Sequence, residues 1–129
     1  MSDLSKSDSS GQAPSILAQL MAVIEDRKKN PSAKSYTNSL LQGGNAKIGK
    51  KIVEEAAEVV EAADEPGEAG RSHLIYEAGD LVYHLWVMLS HHEITLAELE
   101  SELGRRFGIS GLEEKASRPA SSQKPGKDS

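Results

Sequence analysis

Between Ser72 and Ser90 the chain is apolar around most of the circumference of a helix, yet four polar groups fall on one narrow stripe of it. Leu74, Ile75, Ala78, Leu81, Val82, Leu85, Trp86, Val87, Met88 and Leu89 supply the apolar positions. Glu77, Asp80, His84 and His91 recur at spacings of three, four and seven, which places them one above another. A helix this apolar is expected to be buried on most sides. Carboxylates on it are costly unless they line a cavity or bind something.

The rest of the chain fits an all-α domain. Period-two alternation with β-branched or aromatic enrichment is absent. A first helix is expected over about Ser15 to Lys29, with Ile16, Leu17, Leu20, Met21, Val23 and Ile24 at helical spacing, stopped by Asn30-Pro31. Residues 32–45 read as a loop with a brief turn at Leu40-Leu41. A second helix is expected over Ala46 to Ala63, closed by Pro66-Gly67. Its apolar arc holds Ile48, Ile52, Ala56, Val59, Val60 and Ala63, and Glu55 stands at the arc's edge. A fourth helix starts at Thr95, where Thr95-x-x-Glu98 has the form of a capping box. Leu96, Leu99 and Leu103 form its apolar face, and Gly104 or Gly108 ends it.

Both ends of the 129-residue chain are rich in Ser, Pro, Gly and charge. They read as disordered tails, with one domain between them. The net charge of −5 argues against a nucleic-acid-binding face. With no cysteine, disulfides and thiolate zinc sites are excluded. No apolar run suits a signal peptide or a membrane span, so cytoplasm is the expected compartment.

The chemistry-bearing feature is two pairs of acids on successive helices, Glu55 with Glu58 and Glu77 with Asp80. Glu54 makes the first group E-E-x-x-E. Spacing by three puts each pair on one helix face. A short connection implies antiparallel packing, which lets the pairs face each other. Crowded carboxylates need a positive partner, and the third helix offers no lysine or arginine on its stripe. A hard divalent cation is then expected, with Mg2+ first and Mn2+ able to substitute. Lys47, Lys50 and Lys51 precede the acids and can hold phosphate oxygens, or pair i,i+4 with Glu54 and Glu55. Glu54 and Glu55 are the candidates for taking a proton from an attacking water. His84 suits a hydrogen-bonded core position more than a ligand role. Trp86 and Met88 read as core. There is no P-loop, and no E-x-x-H of the di-iron bundles. A non-catalytic helical interaction module, with the acids as a solvated face, is the alternative from another class.

These residues resemble the all-α, MazG-like nucleotide pyrophosphohydrolases, and within them the phosphoribosyl-ATP pyrophosphatase family. The resemblance is carried by V-I-E-D-R-K at 23–28, S-Y-T at 35–37, K-I-G-K-K-I-V-E-E-A-A-E-V-V at 47–60, E-A-G-D-L-V-Y-H-L at 77–85 and S-G-L-E-E-K-A-S-R at 110–118. It implies a four-helix-bundle-like fold whose core is completed by a homodimer. It also implies hydrolysis of phosphoribosyl-ATP to phosphoribosyl-AMP and pyrophosphate in histidine biosynthesis. The metal acids carry over to Glu55, Glu58, Glu77 and Asp80, and Tyr36 falls in a segment expected near substrate. The closing motif sets the domain at 14–118, with tails at 1–13 and 119–129. The rival within enzymes is a housecleaning hydrolase of nucleoside triphosphates such as dUTP or dCTP.

Overall fold

The computed structural model describes residues 13–107. The expected tails at 1–13 and 119–129, the closing motif at 110–118 and a helix stop at Gly108 lie outside those residues, apart from Ala13, which is not helical. Four helices and no strand occur among the described residues: α1 (Ile16–Lys29), α2 (Tyr36–Ala63), α3 (Gly67–His91) and α4 (Leu96–Phe107). No helix among them is long and apolar enough to cross a membrane. The first three helices form one compact unit and α4 belongs to a second.

Helix α1 begins where Ser15 accepts a hydrogen bond from the Ala18 amide, and ends at Asn30 after three basic residues that suit its C-terminal dipole. It is tied to α3 by polar contacts as well as by packing. The Trp86 indole donates to the Leu17 carbonyl at 2.9 Å. Ser90 donates to Glu25 at 2.8 Å, and Lys28 donates to the Ser90 carbonyl at 2.6 Å. Met21, Ile24, Leu40, Ile48, Trp86 and Val87 make the core. Met88 is only half-buried.

The segment read as a loop is helical from Tyr36 onward. Ser35 caps it by accepting from the Asn38 amide. Buried Asn38 donates to the Arg27 carbonyl and accepts from the Ser32 amide, fixing the connection from α1. The two arms of α2 are separated at Gly44, whose φ of 68° and ψ of −159° lie outside the helical region. Only glycine adopts that conformation readily. The first arm, residues 36–43, folds back along the second: Lys47 reaches Ser39, and Tyr36 lies beside Lys51. Polar composition and two adjacent glycines hid this arm, whose one fully buried apolar residue is Leu40.

Helix α3 starts five residues earlier than expected. Pro66 is extended and precedes its first turn rather than ending α2, which stops at Ala63. The turn is tight because Gly70 has no side chain; a Cβ there would fall 2.2 Å from the Glu65 carbonyl oxygen. Helices α2 and α3 run antiparallel, with Asn45 bonded to His92 at one end and Glu55 facing Glu77 and Asp80 further along.

Two burial expectations need correction. Glu55, at the edge of the apolar arc of α2, does point inward and is buried, but Val60 on that arc is 65% exposed and Ala63 is also exposed. Similarly, α3 is not covered on most sides: Ile75 is 63% exposed, and Leu85 is exposed too. Two neighbours can cover only the part of α3 that faces them, whatever the sequence around the rest.

Helix α4, taken by itself, opens with the expected capping box. The Thr95 amide donates to Glu98 at 2.8 Å, and the Glu98 amide donates to Thr95 Oγ1 at 3.1 Å. It continues through Gly104, which therefore does not end it. Arg105 and Arg106 both bond Glu102 and hold its carboxyl down at about 2.

Candidate metal centre

Helical spacing delivers the acids to one place. Glu55 projects from the buried stripe of α2 that also carries Ile48 and Ala62, seven residues before and after it. Glu77 and Asp80 project from α3 across the antiparallel seam. One oxygen from each of Glu55, Glu77 and Asp80 lies within 4.8 Å of the others. Glu58 is exposed and faces Glu77 rather than completing that tight group. Glu55 and Glu77 are each only 6% exposed.

Such crowding redistributes protons. Burial, then Glu77, Asp80 and Glu58, push the Glu55 carboxyl up to about 7. Glu58 is also pushed up, mainly by Glu77. Burial works against ionisation of Glu77, yet its contacts with Glu58, His73 and Glu55 outweigh that and hold it below the usual range. Of these three coupled glutamates, Glu77 is the one held toward its ionised form.

Two carboxylate oxygens, Glu55 Oε1 and Glu77 Oε1, are buried without a hydrogen-bond partner. An unpaired buried carboxylate oxygen is expensive, and a cation is the group that would satisfy both together. The donors are all hard oxygens, which suits a divalent ion of the magnesium kind.

Other expected residues are placed variously. Lys51 lies 3.8 Å from Glu55 and 3.6 Å from Glu54, and Tyr36, then these acids, keep its ammonium charged to higher pH. The expected Lys50–Glu54 pair does not form; Lys50 is exposed and makes no ion pair among the described residues. Lys47 is turned onto Ser39. Glu54 is exposed at the rim. His84 is buried and hydrogen-bonded at both nitrogens. Its Nδ1 donates to the Asp80 carbonyl at 2.8 Å, so its Nε2 accepts from the Tyr36 hydroxyl at 3.1 Å. Tyr36, half exposed, stacks on Tyr83 with centroids 6.2 Å apart. His91, though on the acid stripe of α3, packs at the Gly44 turn.

The sequence reading missed His73. Its Nε2 lies 2.9 Å from Glu77 Oε2, and its Nδ1 is 3.0 Å from Glu65. These two acids, Glu65 first, raise its basicity. The i,i+4 spacing of His73 and Glu77 was the available signal. It was obscured because α3 was started only one residue ahead of His73.

The chain is also similar in sequence to known proteins. A family model described as phosphoribosyl-ATP pyrophosphohydrolase matches residues 17–107. A phosphoribosyl-ATP pyrophosphatase of Rhodopirellula baltica is 55% identical, covering 81% of this chain and 87% of its own. One of Geobacter metallireducens is 49% identical, covering 81% and 93%. One of Neisseria meningitidis is 41% identical, covering 83% and 97%.

Proposed function

The chain belongs to the phosphoribosyl-ATP pyrophosphohydrolase family, and from that premise we propose that it hydrolyses phosphoribosyl-ATP to phosphoribosyl-AMP and pyrophosphate, the second step of histidine biosynthesis. Water adds across the phosphoanhydride bond that joins the pyrophosphate to the nucleotide. The observation that carries the chemistry is the pair of buried, unpartnered oxygens on Glu55 and Glu77 with Asp80 beside them. Glu55, Glu77 and Asp80 would hold Mg2+, or Mn2+ in its place, with Glu58 joining them from the rim. The ion supplies charge neutralisation for the phosphates and lowers the pKa of water.

The chain's own side chains do the rest. Glu54 stands outside the tight group, so its carboxylate remains able to take the proton of the attacking water. Exposed Lys50, with no ion pair among the described residues, suits a phosphate oxygen. Lys47 can leave Ser39 for the same purpose, while Lys51 is shared with Glu54 and Glu55. Tyr36, held by His84, offers an exposed ring and hydroxyl near Lys51 for the nucleotide.

A homodimer is part of the same reading. Val53 and Val60 stand one above the other on α2 at 70% and 65% exposure, and Ile75 on α3 is equally open. A second copy covering these faces would bury an otherwise costly apolar surface. A monomer at micromolar concentrations in sedimentation would remove this element. A cytoplasmic location goes with the biosynthetic role.

Pyrophosphate release from phosphoribosyl-ATP, measured with Mg2+ against a panel of nucleoside triphosphates, tests the activity. Preference for phosphoribosyl-ATP is expected, with a loss of about 100-fold or more in Asp80→Asn. A preference for dUTP or dCTP would overturn the substrate assignment. Full activity in Asp80→Asn would overturn the site.

A further inference from the structure

In both buried glutamates of the cluster, one oxygen is free and the other is engaged by a base four residues earlier on the same helix. Lys51 lies at an ion-pair distance of 3.8 Å from Glu55 Oε2, and His73 hydrogen-bonds Glu77 Oε2 at 2.9 Å. The oxygens left over are the two buried, unpartnered Oε1 atoms.

The two bases are not equivalent. Lys51 is long, flexible and shared with Glu54 at 3.6 Å. The His73 ring is held at both ends: its Nδ1 is 3.0 Å from each oxygen of Glu65. Glu65 in turn is fixed by the turn between α2 and α3. Its amide donates to the Ala62 carbonyl at 3.1 Å, and its backbone lies against Gly70 too closely to admit a Cβ. A chain of contacts thus runs from the turn backbone through Glu65 and His73 to Glu77.

We propose that His73 is a positioning residue: anchored by Glu65, it turns Glu77 Oε2 away from the cluster and presents Oε1 as a single donor atom to the bound cation. This rests on the reading that Glu55, Glu77 and Asp80 hold a divalent ion. The terminal torsion of a glutamate is broad, so an unrestrained carboxylate swings between one-oxygen and two-oxygen contact. Magnesium demands near-octahedral geometry and keeps positions for water and phosphate, which a two-oxygen contact would take. Partners that orient a metal-binding side chain commonly change metal affinity by 10- to 100-fold.

The test uses the full chain and reads binding directly. Mn2+ binding is followed by loss of the free aqua-ion signal in electron paramagnetic resonance, and Mg2+ binding by the rise in Tm. The parent should bind Mn2+, and Asp80→Asn should not. His73→Leu should weaken Mn2+ binding about tenfold or more while keeping its helical circular dichroism and a cooperative metal-free melt. The His73 side chain is 40% exposed, so its loss opens no core cavity. His73→Gln retains a donor for Glu77 Oε2 and should recover most of the affinity. Unchanged or tighter binding by His73→Leu would overturn the proposal, leaving the ring as a counter-charge only. Binding by His73→Gln as weak as by His73→Leu would overturn it too. Equal binding by the parent and Asp80→Asn would bring down the metal-site reading itself, and this proposal with it.

Discussion

Replacing Glu55 with glutamine in metal-free protein should raise stability near pH 8 and leave it almost unchanged near pH 5. The Glu55 carboxyl is raised from 4.5 to about 7 in the fold, first by burial and then by the surrounding acids. Between those values the unfolded chain has released this proton and the native chain still holds it. Stability therefore falls as pH rises through that window. At ~1.4 kcal/mol per pH unit the full shift corresponds to about 3 kcal/mol. Solvent reaches the rim at Glu54 and Glu58, so roughly half of that is the working figure. For a domain of this size it amounts to a Tm difference on the order of 10 °C at pH 8. His73 contributes in an overlapping window. Its raised basicity gives stability that is full below 6.5 and lost as pH climbs through the folded value. Both proteins share that background, so the quantity to read is the difference between them. Thermal melts in chelator from pH 5 to pH 8 measure it. Mg2+ should then raise the parent's Tm more at pH 8 than at pH 5, because binding favours the ionised acids. Parallel melting curves for parent and variant across the whole range would refute the burial of Glu55 among acids.

Gly44→Ala should cost about 1–3 kcal/mol, since its φ of 68° and ψ of −159° are strained for any residue with a Cβ although there is room for one. Denaturant melts would show it, and activity should fall with it because Tyr36 rides on the arm that this turn sets. Gly70→Ala should lower stability by roughly 1–2 kcal/mol despite alanine's better helix propensity, through the clash with the Glu65 carbonyl. An alanine variant that melts at or above the parent would contradict the tight turn.

Helical periodicity by itself determined that α1, the second arm of α2 and α3 would form, because apolar spacing and caps act within a few residues. Ser15, the Asn30 stop and the Thr95–Glu98 capping box are local chemistry of this kind. The spacing of Glu55, Glu58, Glu77 and Asp80 also made an acidic cluster between the two helices legible, since two antiparallel helices joined by a short turn have few ways to pack, although Glu58 stays outside the tight group. Tertiary structure decided the rest. The first arm of α2 exists because Ser35 and Asn38 find partners and Gly44 reverses the chain, and no hydrophobic stripe announces it. Whether Val60, Ile75 and Leu85 are covered depends on how many neighbours a helix has, which its own sequence does not encode. The pairing of His73 with Glu77 was readable from their i,i+4 spacing, but its anchoring by Glu65 became visible only once the turn at Gly70 set the two together. Contacts eight residues apart through a turn depend on where the next helix starts, and no spacing rule states that in advance.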